Sequence, residues 1–144
     1  ALVESHAAAL AAERRRPEHL REMEALNQRM AWLITHQPDD FLVELQQINR
    51  QFHQEILKAA ASPRLNAFVH NLMAVHRVIG AFFYYTDAQL NESLQDHLLL
   101  TRTISQGNSQ LACALMDSHI RGTAVRLRTQ RQAVRNPGTH LENL

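Results

Sequence analysis

The chain has 144 residues, 45% of them apolar and 20% charged. This is an ordinary globular balance, in a length that suits one domain able to bury roughly 70% of its unfolded surface and still hold a ligand cavity. The formal net charge of +1 gives no strong sequence-independent pull toward phosphate backbones. The single cysteine, Cys113, excludes an internal disulfide and a thiolate metal cage.

Helical periodicity runs almost from end to end, broken by a few capping residues and prolines. A first helix is predicted over about 1–15, where Leu2, Leu10 and the alanines between them offer a close-packing face. Pro17 opens a second helix to about 36, with Leu20, Met23, Leu26, Met30 and Leu33 spaced three or four apart. Pro38-Asp39-Asp40 stops it and caps a third, whose stripe is Phe41, Leu45, Ile48, Phe52 and Ile56. Ser62-Pro63 repeats the cap-plus-proline signal for a fourth helix through Leu65, Phe68, Leu72, Val75, Ile79 and Phe82. Thr86-Asp87 caps a fifth, with Leu90, Leu94, Leu98 and Ile104 inward, and Gly107-Asn108 ends it. A sixth runs from about 109 to 134 through Leu111, Leu115, Ile120 and Leu127. The expected fold is an all-α antiparallel bundle of about six helices. Residues 1–135 form one domain, and 136–144, starting at Asn136-Pro137-Gly138, are a loose tail or a remnant of a tag.

Four glycines and four prolines leave too little turn material for a many-stranded β fold. No apolar run approaches the ~18 residues of a membrane span, and no signal segment opens the chain, so the expectation is a soluble, cytoplasmic protein without membrane contact. The basic clusters Arg14-Arg15-Arg16 and Arg121 to Arg135 fall at expected helix C-termini, where cations complement the helix dipole. With no helix-turn-helix pattern and no aromatic platform, this stretch by itself is not read as a nucleic-acid binder.

Nine histidines are many for this length, and three fall where the core should be. His53 lies on the apolar flank of helix three, one turn beyond Asn49. His97 continues the inward row Leu90, Leu94, Thr101, and His119 stacks one turn from Leu115 and Met116. Burying each without a partner costs a few kcal/mol. A lone histidine on such a face is more often a core residue bonded to a carbonyl than a metal ligand. Together with the amide of Asn49, on the same helix face as His53, the three would form a nitrogen-rich site for a first-row divalent ion, zinc or nickel foremost. His6, His19, His36, His70 and His140 read as surface or helix-end residues. Asp96 and Asp117 each adjoin a candidate ligand in sequence but are expected to point to another face.

Three segments in order resemble the FCD domain, the effector-binding half of the FadR subfamily of GntR transcription regulators. Leu2-Val3-Glu4 before Ala7-Ala8-Ala9-Leu10-Ala11-Ala12 resembles the family's opening helix. Ile48-Asn49-Arg50-Gln51-Phe52-His53, with Ala60-Ala61-Ser62-Pro63-Arg64-Leu65, resembles its Asp-x-x-Phe-His segment and following turn. Asp96-His97 and Met116-Asp117-Ser118-His119-Ile120 resemble its paired histidine helices. The resemblance covers about residues 1–128 and implies a divalent metal on Asn49, His53, His97 and His119, with an amide at 49 where the family usually carries a carboxylate. It further implies a small carboxylate effector, a homodimer, and operator DNA contacted only through a winged helix-turn-helix on the N-terminal side that this chain lacks. Arg77, near His76, Met73 and Tyr84, is a candidate second anchor for that carboxylate, with His76 and Tyr84 as further pocket candidates.

Two other classes compete. A metal-free helical ligand- or partner-binding domain would have these histidines as ordinary core residues. A histidine–metal enzyme would use the ion to activate water, but Glu-x-x-His pairs and His-Glu-x-x-His are both absent.

Overall fold

The computed structural model describes residues 1–65, 67 and 81–135, with backbone only at 81, 84 and 130–135. Among the described residues it contains helices and no strand, in the order α1 (Leu2–Arg14), α2 (Pro17–His36), α3 (Phe41–Ala59), a 3-10 turn (Ala81–Tyr84), α4 (Asp87–Ser105) and α5 (Ser109–Arg135). The all-α bundle expected from periodicity is the observed architecture. No helix among these residues is long and apolar enough to cross a membrane.

Local chemistry accounts for most of the helix ends. Pro17 occupies the first turn of α2, where its missing N–H costs nothing. Thr86 and Gln89 close a reciprocal capping box on α4, with Gln89 N donating to Thr86 Oγ1 at 3.3 Å and Thr86 N to Gln89 Oε1 at 3.1 Å; this satisfies two otherwise orphaned donors. Gly107 ends the helix with φ +75, a backbone state open to glycine at no steric cost. Asp40 differs from expectation. It precedes α3 in a left-handed conformation and makes no side-chain cap bond. Of the predicted fourth helix, the start is described: 63–65 are helical, and Leu65 N donates to Ser62 Oγ at 3.4 Å.

Helix α1 packs chiefly against α5 and α3, while α2 lies against α3 and α4. Ala7, Ala8, Ala11 and Ala12 are fully buried, so α1 meets its neighbours through side chains with no rotamer entropy to lose. The main core joins Met23, Met30, Leu33, Leu45, Phe52, Ile56, Leu90, Leu100, Ile104 and Met116. Each such large side chain contributes about 1.5–3 kcal/mol on burial. Three positions expected inward are exposed: Leu2 (85%), Leu98 (42%) and Leu111 (43%). The buried row of α4 is Leu90, Leu94, His97, Thr101 and Ile104, which turns Leu98 to the edge. On α5 the row through Ala112, Met116 and His119 does the same to Leu111.

The arginines at the end of α1 act on helices other than their own. Arg14 Nη1 donates to the carbonyl of Ala60, just past α3, at 3.0 Å. Arg15 Nη2 donates to the carbonyl of Ser105, the last residue of α4, at 3.1 Å. Both satisfy carbonyls that a helix terminus leaves open and add positive charge at the negative end of its dipole.

Candidate metal centre

Three helices each deliver one imidazole to a common point. His53 from α3, His97 from α4 and His119 from α5 are all buried, and a ligating nitrogen of each lies within 4.8 Å of the other two. His97 Nε2 and His119 Nε2 are 3.3 Å apart. Two nitrogens bound to one tetrahedral zinc at 2.0–2.1 Å are separated by about 3.3 Å, so this spacing fits a shared ion.

Neighbouring groups fix the rings. His97 is stacked flat on Phe52, with centroids 4.2 Å apart and planes within 8°. His119 Nδ1 lies 3.0 Å from Asp96 Oδ2. The carboxylate can only accept, so the proton sits on Nδ1 and the lone pair of Nε2 turns toward the other histidines. His53 Nδ1 is 3.7 Å from Glu4 Oε1, too long for a hydrogen bond. Among the described residues neither His53 Nδ1 nor His97 Nδ1 has a hydrogen-bond partner. Burial, reinforced by His119, holds the pKa of His53 down at about 3. Burial, with His119 and then His53, holds His97 well below the ordinary histidine range. Both rings are therefore neutral near pH 7, the form that binds metals. Burial raises the pKa of Glu4.

A cavity of ≈ 210 Å³ opens onto this centre, lined by Glu4, Gln46, Asn49, His53, Tyr85 and His119 among others. His97 is fully buried. Asn49, half-buried, stands on the cavity wall one turn before His53. Of the residues singled out in the sequence, His53, His97 and His119 come together, and Asn49 lines the cavity with His53 and His119. His76 and Arg77 lie outside the described residues. Tyr84 belongs to the 3-10 turn, its side chain outside the described set, and it is the neighbouring Tyr85 that lines the cavity.

Two expectations are corrected. Asp96 does not turn away: one position before His97 on α4, it reaches across to α5 and bonds His119. Asp117 does stay outside, paired with Arg121 at 2.6 Å. His19 is buried rather than superficial, with Nδ1 2.7 Å from the buried Glu55 Oε1, because the end of α3 covers the first turn of α2. Glu4 is the site residue that the sequence reading passed over. Its signal was an acidic side chain one turn before Ala7 and Ala8, on a face otherwise built for close packing.

Compared with known families, residues 1–122 match the FCD domain. No curated protein and no solved structure matches the chain. With 122 of its residues matched and an all-helical bundle around the expected histidines, the chain belongs to the FCD domain family, the C-terminal effector-binding domain of GntR-type regulators.

Proposed function

We propose that this domain is the sensor of a GntR-type regulator of the FadR subfamily, holding a divalent ion on His53, His97 and His119 and a small carboxylate effector in the adjoining cavity. The observation that carries the reading is the 3.3 Å separation of two buried imidazole nitrogens on different helices, with the third imidazole beside them. Zinc and nickel both suit such donors. When bound, the ion supplies positive charge at the cavity floor, which three neutral ligands leave uncompensated.

The chain's own residues do the rest. Asp96 fixes the tautomer of His119, and Phe52 fixes the plane of His97. Asn49 offers an amide oxygen without charge, so Glu4 and Asp96 are the carboxylates closest to the histidines. Glu4 stands on α1, the helix nearest the DNA-binding half in the family's domain order. An effector that binds one position of α1 better than another biases operator affinity, and a coupling of about 1–3 kcal/mol suffices for regulation. Homodimerisation then matches the two-fold symmetry of an operator.

A metal-free cluster is the second reading, favoured by the same 3.3 Å contact, which also suits a hydrogen bond from one ring to the other. Metal content of untagged protein purified without chelator separates the two. About one ion per chain, lost in His53→Ala and His119→Ala, is expected; a folded chain that takes up no ion from zinc or nickel solutions refutes the metal reading.

A further inference from the structure

The three imidazoles are held by unequal means. His119 has a carboxylate behind it, with Asp96 Oδ2 at 3.0 Å from Nδ1, and His97 has the face of Phe52. His53 lacks such a bond: its Nδ1 is buried with no hydrogen-bond partner among the described residues. A neutral imidazole carries one proton, and a ring that offers Nε2 to a metal carries it on Nδ1. That buried N–H needs an acceptor.

Glu4 stands where the acceptor is required. Its Oε1 lies 3.7 Å from His53 Nδ1, roughly 0.8 Å longer than an ordinary N–H···O bond, a gap that a small side-chain rotation spans. The two side chains are 19% and 8% exposed, so water screens the pair little. Glu4 lines the same cavity as His53 and His119. It is not among the groups whose ligating atoms come within 4.8 Å of one another, so its place is behind the His53 ring and outside the ligand set. The alanines of α1 put it there. Ala7 and Ala8 are fully buried and lie one turn along the same face, which holds the backbone close enough for a glutamate to reach α3.

We propose that Glu4 is the positioning carboxylate of His53, accepting a hydrogen bond from Nδ1 so that Nε2 faces the metal, and that metal occupancy is thereby felt by the first turn of α1. This rests on the metal reading above and adds a fourth helix to the centre: α3, α4 and α5 supply imidazoles, and α1 supplies a group that responds to them. Asp96 and His119 form the same arrangement between α4 and α5. Coordination draws electron density from an imidazole and makes its N–H a stronger donor, so the bond to a carboxylate is strongest in the loaded protein.

The test combines zinc titration, nitrogen–proton correlation spectra of the histidine rings and amide exchange, on the wild type, Glu4→Gln and Glu4→Ala, with the fold of each checked by circular dichroism. In the zinc-loaded wild type His53 carries a slowly exchanging proton on Nδ1, and zinc slows exchange of the Ser5 to Ala8 amides. Glu4→Gln, which keeps a neutral acceptor, lowers zinc affinity about tenfold, and Glu4→Ala lowers it by up to about 100-fold. In Glu4→Ala the His53 proton exchanges faster with solvent, and zinc no longer protects the start of α1. A loss of affinity that leaves the Nδ1 proton as slow as in the wild type overturns the assignment, because Glu4 is then a direct ligand or a packing residue. Zinc uptake that neither variant weakens overturns this proposal alone, whereas a wild type that takes up no zinc overturns it together with the metal reading.

Discussion

His97 lies on the face of Phe52, with ring centroids 4.2 Å apart and planes within 8°. Both side chains are fully buried. The contact ties the packing core to the histidine centre, since the ring that fills the space between α3 and α4 also sets the plane of a candidate ligand. Phe52→Ala is expected to lower unfolding free energy by about 3–5 kcal/mol. Phe52→Leu keeps most of the volume but frees His97, so its loss of zinc affinity should exceed its loss of stability. Denaturant melts and competition with a chromogenic chelator measure the two separately.

Acid should unfold the metal-free domain earlier than an ordinary helical bundle. The folded-state pKa of His53 is about 3 and that of His97 is also depressed, whereas in the unfolded chain both titrate near 6.5. Above pH 6.5 neither state takes a proton and their stability contribution is constant. As pH falls below 6.5 the unfolded chain binds protons that the folded one refuses, so stability drops by about 1.4 kcal/mol per pH unit for each ring. Glu4, with its raised pKa, acts in the opposite sense, above about pH 4.5. Urea midpoints of the chelated protein from pH 7.5 to 5 should fall, and His53→Leu should flatten the slope.

The hydrogen bond from His119 to Asp96 gives a sharper test of the centre than removal of a histidine. Asp96→Asn keeps the shape but turns a charged acceptor into a neutral one, and is expected to cost 10- to 100-fold in metal affinity, as such outer partners typically do. Asp96 is 42% exposed on its side chain, so thermal stability without metal should change little. An unchanged zinc affinity would mean that the carboxylate does not orient the ring.

Asn49→Asp runs in the other direction. A carboxylate at 49, on the cavity wall with His53 and His119, adds a negative charge toward the ion and should tighten zinc binding about tenfold or more. The same charge repels an acidic effector, so carboxylate binding to the loaded domain should weaken. Titration of metal and of acid on the variant reads both effects.

The sequence revealed the helices through their stripes and their caps, Pro17, Thr86 and Gly107 above all. It placed His53, His97 and His119 on inward faces because helical period alone decides which side of a helix a residue occupies. Leu98 and Leu111 defeated it, each one position from the residue that owns the buried row. Asp96, Glu4 and His19 depend on a different quantity, the azimuth and height at which one helix meets another. Asp96 reaches His119 only because α4 and α5 pack side by side, and His19 is covered only because α3 ends at Glu55 over the start of α2. Nothing in the local pattern of a single helix encodes those offsets.

The two arginine clamps at the end of α1 have a mechanical consequence. Arg14 is fastened to the end of α3 and Arg15 to the end of α4, the helices that carry His53 and His97, while Glu4 touches the cavity from the other end of α1. Helix α1 is thus a strut pinned at its far end to two of the three histidine helices. It cannot slide along either one without breaking a charge-assisted bond. A ligand that pushes on Glu4 would act about 16 Å from those pins, the rise of 10 to 11 helical residues.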